Sequence, residues 1–227
     1  MKINEIHKTK IVATVGPASS SYEMLLELVR SGVDVFRLNF SHGSYEDHQK
    51  IIDNILKIND VHHTYVSILA DLQGPKLRVG KIENGSMFIQ SGDVLTFVNE
   101  ECIGNKDRIY MSYENFAEDV EVGEKVLVDD GKVVLEVIDT NKKDVVKLKV
   151  IHGNVLSSNK GVNLPNTKVS LPALTDKDIR DLNYILTQPV NWIALSFVRS
   201  PKDLKDLRDR IDEKNHGAKI IAKIENL

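Results

Sequence analysis

The chain has 227 residues, a formal net charge of −3 and one cysteine, Cys102. This length suits one large domain or two small ones, and the small negative charge argues against a general nucleic-acid or membrane-surface role. A single cysteine excludes an intrachain disulfide and favours a reducing compartment. Residues 1–5 lack the apolar core of a signal peptide, and no apolar run is long enough to span a bilayer. We therefore expect a cytoplasmic, soluble protein.

The first third of the chain alternates between strand-like and helix-like patterns. Ser20 and Glu23 have the spacing of a capping box, and Ser44 with Asp47 marks the start of a second helix. This βαβαβ series predicts a parallel sheet with right-handed crossovers. The predicted strands are residues 10–15, 33–40 and 65–70.

The pattern changes in the middle of the chain. Residues 79–168 contain no convincing helix, and Asp129–Lys132 is typical of a hairpin turn between two β-rich runs. We predict a small antiparallel β-domain inserted into the α/β unit. The predicted domains are residues 1–78 (barrel, first part), 79–168 (inserted all-β domain) and 169–227 (barrel, continued and truncated). The predicted strands of the insertion are 94–98, 108–111, 125–128, 133–138 and 145–150.

Strands and helices then alternate again. Thr175 and Asp178 are placed to cap a helix that ends near residue 186, and a strand, a helix and a last strand follow at 191–198, 201–214 and 219–224. Five such strands fit either an open doubly wound sheet or part of a (βα)8 barrel. No glycine-rich dinucleotide motif or Walker loop follows the first strand, which disfavours the open sheet.

Polar residues lie at the carboxyl ends of successive predicted strands, which is where barrel active sites lie. The fold class predicted is therefore α/β, a partial (βα)8 TIM-type barrel with an inserted all-β domain. The strand-end polar residues are Arg37, Asn39, Ser41, Asp71, Ser196, Arg199, Lys223 and Glu225.

Three polar residues share one face of the second strand. Arg37, Asn39 and Ser41 alternate with apolar residues, so all three point to the same side. Polar groups inside a covered sheet are costly unless something binds them, and an oxyanion ligand would satisfy all three. The alternative is an edge strand with a solvated face.

A lysine and a carboxylate end the last strand. Lys223 and Glu225 are two residues apart and point to the same side. They form either a simple buried ion pair or a site in which Glu225 holds a divalent cation while Lys223 supplies fixed positive charge. With Arg37 nearby, the second interpretation suits phosphoryl transfer.

Two cations flank the predicted insertion. Arg78 precedes it, and Lys160 opens a Gly/Asn/Pro loop at its other end. Each alone is more typical of a solvated surface, but together they fit a lid that closes on a nucleotide. From the residues alone, His42 either caps the following helix or touches a ligand.

Taken together, five segments resemble pyruvate kinases along essentially the whole chain. The resemblance implies a barrel with a mobile β-domain lid, and transfer of a phosphoryl group from phosphoenolpyruvate to ADP, giving pyruvate and ATP in the last step of glycolysis. It also implies Mg²⁺ or Mn²⁺ as cofactor and a homotetramer. The segments are Thr9–Ser19, Arg37–Gly43, Asp71–Arg78, Lys160–Pro165 and Ile221–Asn226.

The resemblance also implies a role for each matched residue. Arg37 would bind the phosphate of phosphoenolpyruvate, Lys223 would stabilise the transferring phosphoryl group and the enolate, and Glu225 would ligate Mg²⁺. The implied nucleotide-binding residues are Asn39, Ser41, His42, Arg78 and Lys160. The implied monovalent-cation region is Asn39, Ser41, Asp71 and Leu72.

Two departures from the usual pattern shape the expectations. Leu72-Gln73 and Lys76 stand where many relatives have Thr and Glu, which resembles the K⁺-independent branch, with the Lys76 ammonium replacing K⁺. The chain also stops after the fifth strand, so we expect an N-terminal fragment that is inactive alone. Two other functions remain open: another Mg²⁺-dependent barrel acting on phosphoenolpyruvate or pyruvate, and a truncated remnant that only binds ligands.

Overall fold

The computed structural model describes residues 8–224. They form two compact units, one of residues 8–75 with 172–224 and the other of residues 76–171. The predicted boundaries were 78/79 and 168/169. The interpretation of the second unit as an inserted lid domain remains a prediction.

The first unit begins with three strands and two helices. Ser21, not Ser20, is the N-cap of the first helix, because the Ser20 hydroxyl donates instead to the carbonyl of Pro17 in a preceding 3₁₀ turn. Ser44 and Asp47 form the predicted capping box of the second helix. The elements are β1 (Val12–Thr14), α1 (Tyr22–Arg30), β2 (Val35–Asn39), α2 (Tyr45–His62) and β3 (Ser67–Leu72).

The second unit consists mainly of strands. Its elements are β4 (Ser86–Phe88), β5 (Val94–Val98), β6 (Ile109–Tyr110), α3 (Phe116–Asp119), β7 (Lys125–Val128), β8 (Val133–Thr140), β9 (Val145–His152), β10 (Val155–Ser157) and β11 (Val162–Asn163). Six strands form one sheet in the order β11-β7-β8-β9-β5-β6, and β10 pairs with β4. The predicted hairpin turn at residues 129–132 joins β7 to β8.

Two details of this unit differ from the sequence-based expectation. A four-residue helix, α3, buries Phe116 and Ala117, and one turn is too short to give a helical periodicity. Strands β5 and β6 are parallel rather than antiparallel, because residues 99–108 carry the chain back before β6 begins. The other strand pairs are antiparallel.

The chain then completes the first unit. The remaining elements are α4 (Asp176–Ile185), β12 (Trp192–Leu195), α5 (Pro201–Glu213) and β13 (Lys219–Ala222). All five strands of this unit are parallel, in the order β1-β2-β3-β12-β13, which confirms the predicted sheet. Thr175 caps α4 with Asp178 in the predicted capping box. No helix within residues 8–224 is both long and apolar enough to cross a membrane.

The two faces of this parallel sheet have different compositions. One face packs on the helices through a core that includes Phe36, Leu38 and Leu195. The strand register places Asn39 beside Asp71 on the other face. Side chains alternate along each strand, so Arg37, Ser196 and Lys223 also belong to that second face, near the carboxyl ends of the strands.

Candidate active site

A buried carboxylate joins two cations at the carboxyl ends of the strands. Arg37 Nε lies 2.6 Å from Asp71 Oδ2, and Lys223 Nζ lies 3.3 Å from each carboxylate oxygen of Asp71. Arg37 comes from β2, Asp71 from β3, and Lys223 follows β13 directly. The structure therefore brings together three of the residues selected from the sequence.

Two hydroxyls fix the orientation of these cations. Arg37 Nη1 donates to Thr14 Oγ1 at 2.9 Å. Lys223 Nζ donates to Ser196 Oγ at 2.7 Å, and the Ser196 hydroxyl in turn donates to the carbonyl of Leu72 at 2.9 Å. Both cations are thus held by a carboxylate and a hydroxyl.

The electrostatics of this cluster favour binding of a further anion. Asp71 is 2% exposed, whereas the side chains of Arg37 and Lys223 are 29% and 30% exposed. A buried carboxylate is costly without cationic partners, and here it has two. The guanidinium of Arg37 and the ammonium of Lys223 thus both reach the surface, and charged N–H donors of this kind suit a phosphate or carboxylate group.

A cavity of about 740 Å³ adjoins this cluster within the first unit, and its volume is typical of a small-molecule site. Thr14 and Asn39 line it, and Thr14 also contacts Arg37. His42 lines the cavity as well and is exposed, whereas Ser44 is the N-cap of α2. His42 is therefore not the N-cap of α2, and its contact with a ligand stays a prediction.

The loop after β2 has a defined turn. The backbone N–H of Ser41 donates to Asn39 Oδ1 at 3.1 Å, and that of His42 donates to the carbonyl of Asn39 at 3.2 Å. Gly43 follows with a φ of +84°, which favours glycine. These contacts fix the backbone that presents Ser41 and His42.

Arg78 and Lys160, the two predicted nucleotide-binding cations of the second unit, lie on adjacent segments although they are far apart in sequence. The backbone N–H of Val79 donates to the carbonyl of Lys160 at 2.9 Å, and Arg78 is bridged to Gly161. Arg78 Nη1 donates to the carbonyl of Asn159 at 2.7 Å. The segments at the two ends of this unit therefore meet, and the two cations belong to one region of it.

Lys160 already has an anionic partner in the second unit. Its Nζ lies 3.0 Å from Asp129 Oδ1, and Lys132 Nζ lies 3.1 Å from Asp129 Oδ2. Hydrogen bonds from Lys160 and, next, from Lys132 lower the pKa of Asp129 below its ordinary value. An anionic ligand would have to compete with Asp129 for Lys160.

The remaining predicted residues have a less direct relation to the cluster. The side chain of Leu72 is buried in the helix-covered core, and its carbonyl accepts a hydrogen bond from the Ser196 hydroxyl. Lys76 is exposed and belongs to the second unit. Glu225 lies outside the described residues.

A divalent-cation site requires several ligating groups placed close together. Residues 8–224 contain no group of three or more His, Cys, Asp or Glu side chains placed to hold a metal ion. Asp71 is engaged by Arg37 and Lys223. Glu225, the predicted Mg²⁺ ligand, lies outside these residues, so the Mg²⁺ site stays a prediction.

Sequence reasoning gave no role to two residues of the cluster. Ser196 was recognised only as a polar strand-end residue, and Thr14 only as part of a motif. In the sheet, Thr14 is paired directly with Arg37. The register between β1 and β2, which the sequence does not give, is what identifies Thr14 as the neighbour of Arg37.

Comparisons with a family profile and with individual proteins all match this chain to pyruvate kinases. The family profile described as the barrel domain of pyruvate kinase matches residues 6–227. A pyruvate kinase of Mycobacterium intracellulare is 44% identical over 216 residues, covering 95% of this chain and 46% of that protein. One of Staphylococcus haemolyticus is 42% identical over 223 residues, covering 97% of this chain and 38% of its own length.

A solved structure agrees with these sequence matches. The crystal structure of a pyruvate kinase from Cryptosporidium parvum matches with a TM-score of 0.88 and 35% identity, covering 96% of this chain and 46% of that one. The fold is thus an α/β partial barrel. The chain belongs to the pyruvate kinase family, and it spans less than half the length of these relatives.

Proposed function

We propose that the protein containing this chain is a phosphotransferase that moves the phosphoryl group of phosphoenolpyruvate to ADP, giving pyruvate and ATP. Family membership supports this reaction. The observation that carries it is the Arg37–Asp71–Lys223 cluster, which presents a guanidinium and an ammonium group, both partly exposed, at the carboxyl ends of parallel strands.

In this proposal the cluster neutralises charge on the moving group. An oxygen of the ADP β-phosphate forms a bond to phosphorus while the bond from phosphorus to the enol oxygen breaks, and the enolate then takes a proton at carbon to give pyruvate. Arg37 binds the phosphate of phosphoenolpyruvate, and Lys223 stabilises the phosphoryl group and the enolate. Asp71 holds both cations in place.

We further propose that the 740 Å³ cavity receives ADP. Asn39 and His42 line it, and Ser41 lies between them in the sequence. The family resemblance supports contacts from Arg78 and Lys160 to the nucleotide phosphates and a lid role for the second unit. A divalent cation, Mg²⁺ or Mn²⁺, held by Glu225 would offset phosphate charge.

The K⁺ requirement, assembly and location are also proposals. Lys76 supports activity without K⁺, because an ammonium group can supply the charge that K⁺ would bring. A homotetramer and a cytoplasmic location are supported by the family resemblance alone. A polypeptide limited to these 227 residues is expected to be inactive, because a sheet of five strands cannot close into a barrel.

The test is pyruvate formation by the full protein, purified free of host pyruvate kinase. We expect turnover that needs both phosphoenolpyruvate and ADP, and a fall of at least about 100-fold in Lys223→Met. Lys219→Met is the matched control, since Lys219 lies on the same strand at its other end. Pyruvate release without ADP would favour another barrel enzyme, and ligand binding without turnover would favour the binding-only alternative.

A further inference from the structure

His48 is a buried histidine of α2 with a partner on only one ring nitrogen. It is 6% exposed, and its Nε2 lies 3.0 Å from the carbonyl oxygen of His42. A carbonyl only accepts, so Nε2 carries the proton and donates. Nδ1 is then a bare acceptor, and it is the one buried side-chain nitrogen or oxygen within residues 8–224 that lacks a hydrogen-bond partner.

The imidazole contacts two residues of the loop after β2 and closely approaches a third. Its ring stacks on Phe40 with centroids 4.2 Å apart and an interplanar angle of 24°. Its Nε2 holds the carbonyl of His42, and a Cβ placed on Gly43 would lie 3.3 Å from the same atom. One side chain therefore contacts the residue before Ser41 through its ring and the residue after it through its backbone carbonyl.

That loop borders the proposed nucleotide cavity. His42, Gly43 and His48 are all among its lining residues. A phenylalanine could also stack on Phe40 and would leave no unsatisfied acceptor, so stacking alone does not account for a histidine here. The donor at Nε2 is what a hydrocarbon ring could not supply.

We propose that His48 is a positioning residue for the nucleotide, acting through the carbonyl of His42 in its Nε2-protonated neutral form. This inference rests on the proposed function, because it takes ADP as the ligand of the cavity. His48 touches no reacting atom. It sets the backbone that presents Ser41 and His42, so its loss weakens ADP binding more than it affects phosphoenolpyruvate.

Neighbouring groups support a fixed, neutral ring. Lys177 donates to the carbonyl of Phe40 at 2.5 Å and pairs with Asp181, which also accepts from the Tyr45 hydroxyl at 2.9 Å. Burial is the largest influence on the ring and lowers the pKa of His48 below its ordinary value. The ring is thus neutral near pH 7, as donation from Nε2 alone requires.

The test compares two substitutions of His48 in the full protein. His48→Phe keeps the stacking and removes the donor, whereas His48→Gln restores an amide N–H near the position of Nε2. We expect His48→Phe to raise the Kd and KM for ADP about 10-fold, as the loss of one hydrogen bond can do. The KM for phosphoenolpyruvate and kcat should stay within about twofold, and His48→Gln should recover most of the ADP affinity.

The matched controls are His62→Phe and His62→Gln, which change the last residue of the same helix, away from the cavity. Equal losses for both substrates, or no gain from Gln over Phe, would overturn the inference. ADP binding is measured by titration calorimetry as well as by turnover. If wild type binds ADP but makes no pyruvate, the proposed reaction fails while the role of His48 is still decided by the binding constants.

A direct readout of the ring completes the test. In NMR spectra of ¹⁵N-histidine-labelled protein, the His48 imidazole is expected to carry its proton on Nε2. The His48 signals are those that are missing from the spectrum of His48→Gln. Protonation at Nδ1 instead would overturn the inference whether or not the protein is a kinase.

Discussion

Lys223 donates to the Ser196 hydroxyl across 2.7 Å, and this contact joins the last described strand end to the one beside it. The hydroxyl is itself directed by donation to the Leu72 carbonyl at 2.9 Å. Ser196 therefore determines where the ammonium of Lys223 lies relative to Asp71.

Replacing Ser196 by Ala is expected to lower kcat about 10-fold, because Lys223 loses a hydrogen bond that holds it in position. The KM for ADP should change little, since Ser196 does not line the 740 Å³ cavity proposed to receive ADP. Steady-state kinetics of pyruvate formation measure both. Ser67→Ala, on the same sheet but at the other end of β3, is the control, and full activity in Ser196→Ala would contradict this positioning role.

Replacing Asp71 by Asn is expected to lower the free energy of unfolding by about 2 kcal/mol. Removing one partner of a fully buried ion pair costs about 3–5 kcal/mol, and the partial exposure of Arg37 and Lys223 reduces that cost through solvent screening. Urea denaturation measures the change. The control is Asp206→Asn in the exposed Asp206–Arg210 pair, for which we expect less than about 0.5 kcal/mol. Equal effects would show that Asp71 has no special structural role.

Stability is expected to fall as the pH drops below about 6.5, because burial lowers the pKa of His48. In that range the unfolded chain binds more protons than the folded one, so acid favours unfolding until the folded pKa is passed. Urea midpoints at about pH 7.5 and pH 5.5 should differ more for wild type than for His48→Gln. His62→Gln should behave as wild type. An identical acid loss in His48→Gln would assign the effect to other groups.

Pyruvate formation is expected to proceed in K⁺-free buffer if, as proposed, the Lys76 ammonium supplies the positive charge that K⁺ would bring. Lys76→Glu should then require added K⁺ for full activity, while Lys143→Glu, at another exposed lysine of the second unit, should not. Activity is measured with and without KCl at constant ionic strength. A strong K⁺ requirement in wild type would refute the prediction.

Local patterns were sufficient to predict much of the fold. The alternation of strands and helices and the N-caps at Ser44 and Thr175 were predicted and are confirmed. They could be predicted because capping boxes and hydrophobic periodicity depend on residues a few positions apart. The N-cap of α1 was predicted at Ser20, one residue before its actual position at Ser21, because the Ser20 hydroxyl donates to the Pro17 carbonyl in a 3₁₀ turn. The one-turn helix α3 and the parallel pair β5–β6 were missed because their formation depends on packing and chain return rather than on periodicity.

The sequence by itself determined that Arg37, Asp71 and Lys223 lie at strand ends, because side-chain alternation and the position of each strand can be derived locally. Only the tertiary structure decided that Asp71 holds both cations, that Ser196 and Thr14 orient them, and that His48 supports the neighbouring loop. Asp71 and Lys223 are 152 residues apart. Contacts at such a separation are set by strand order and register, which no local pattern specifies.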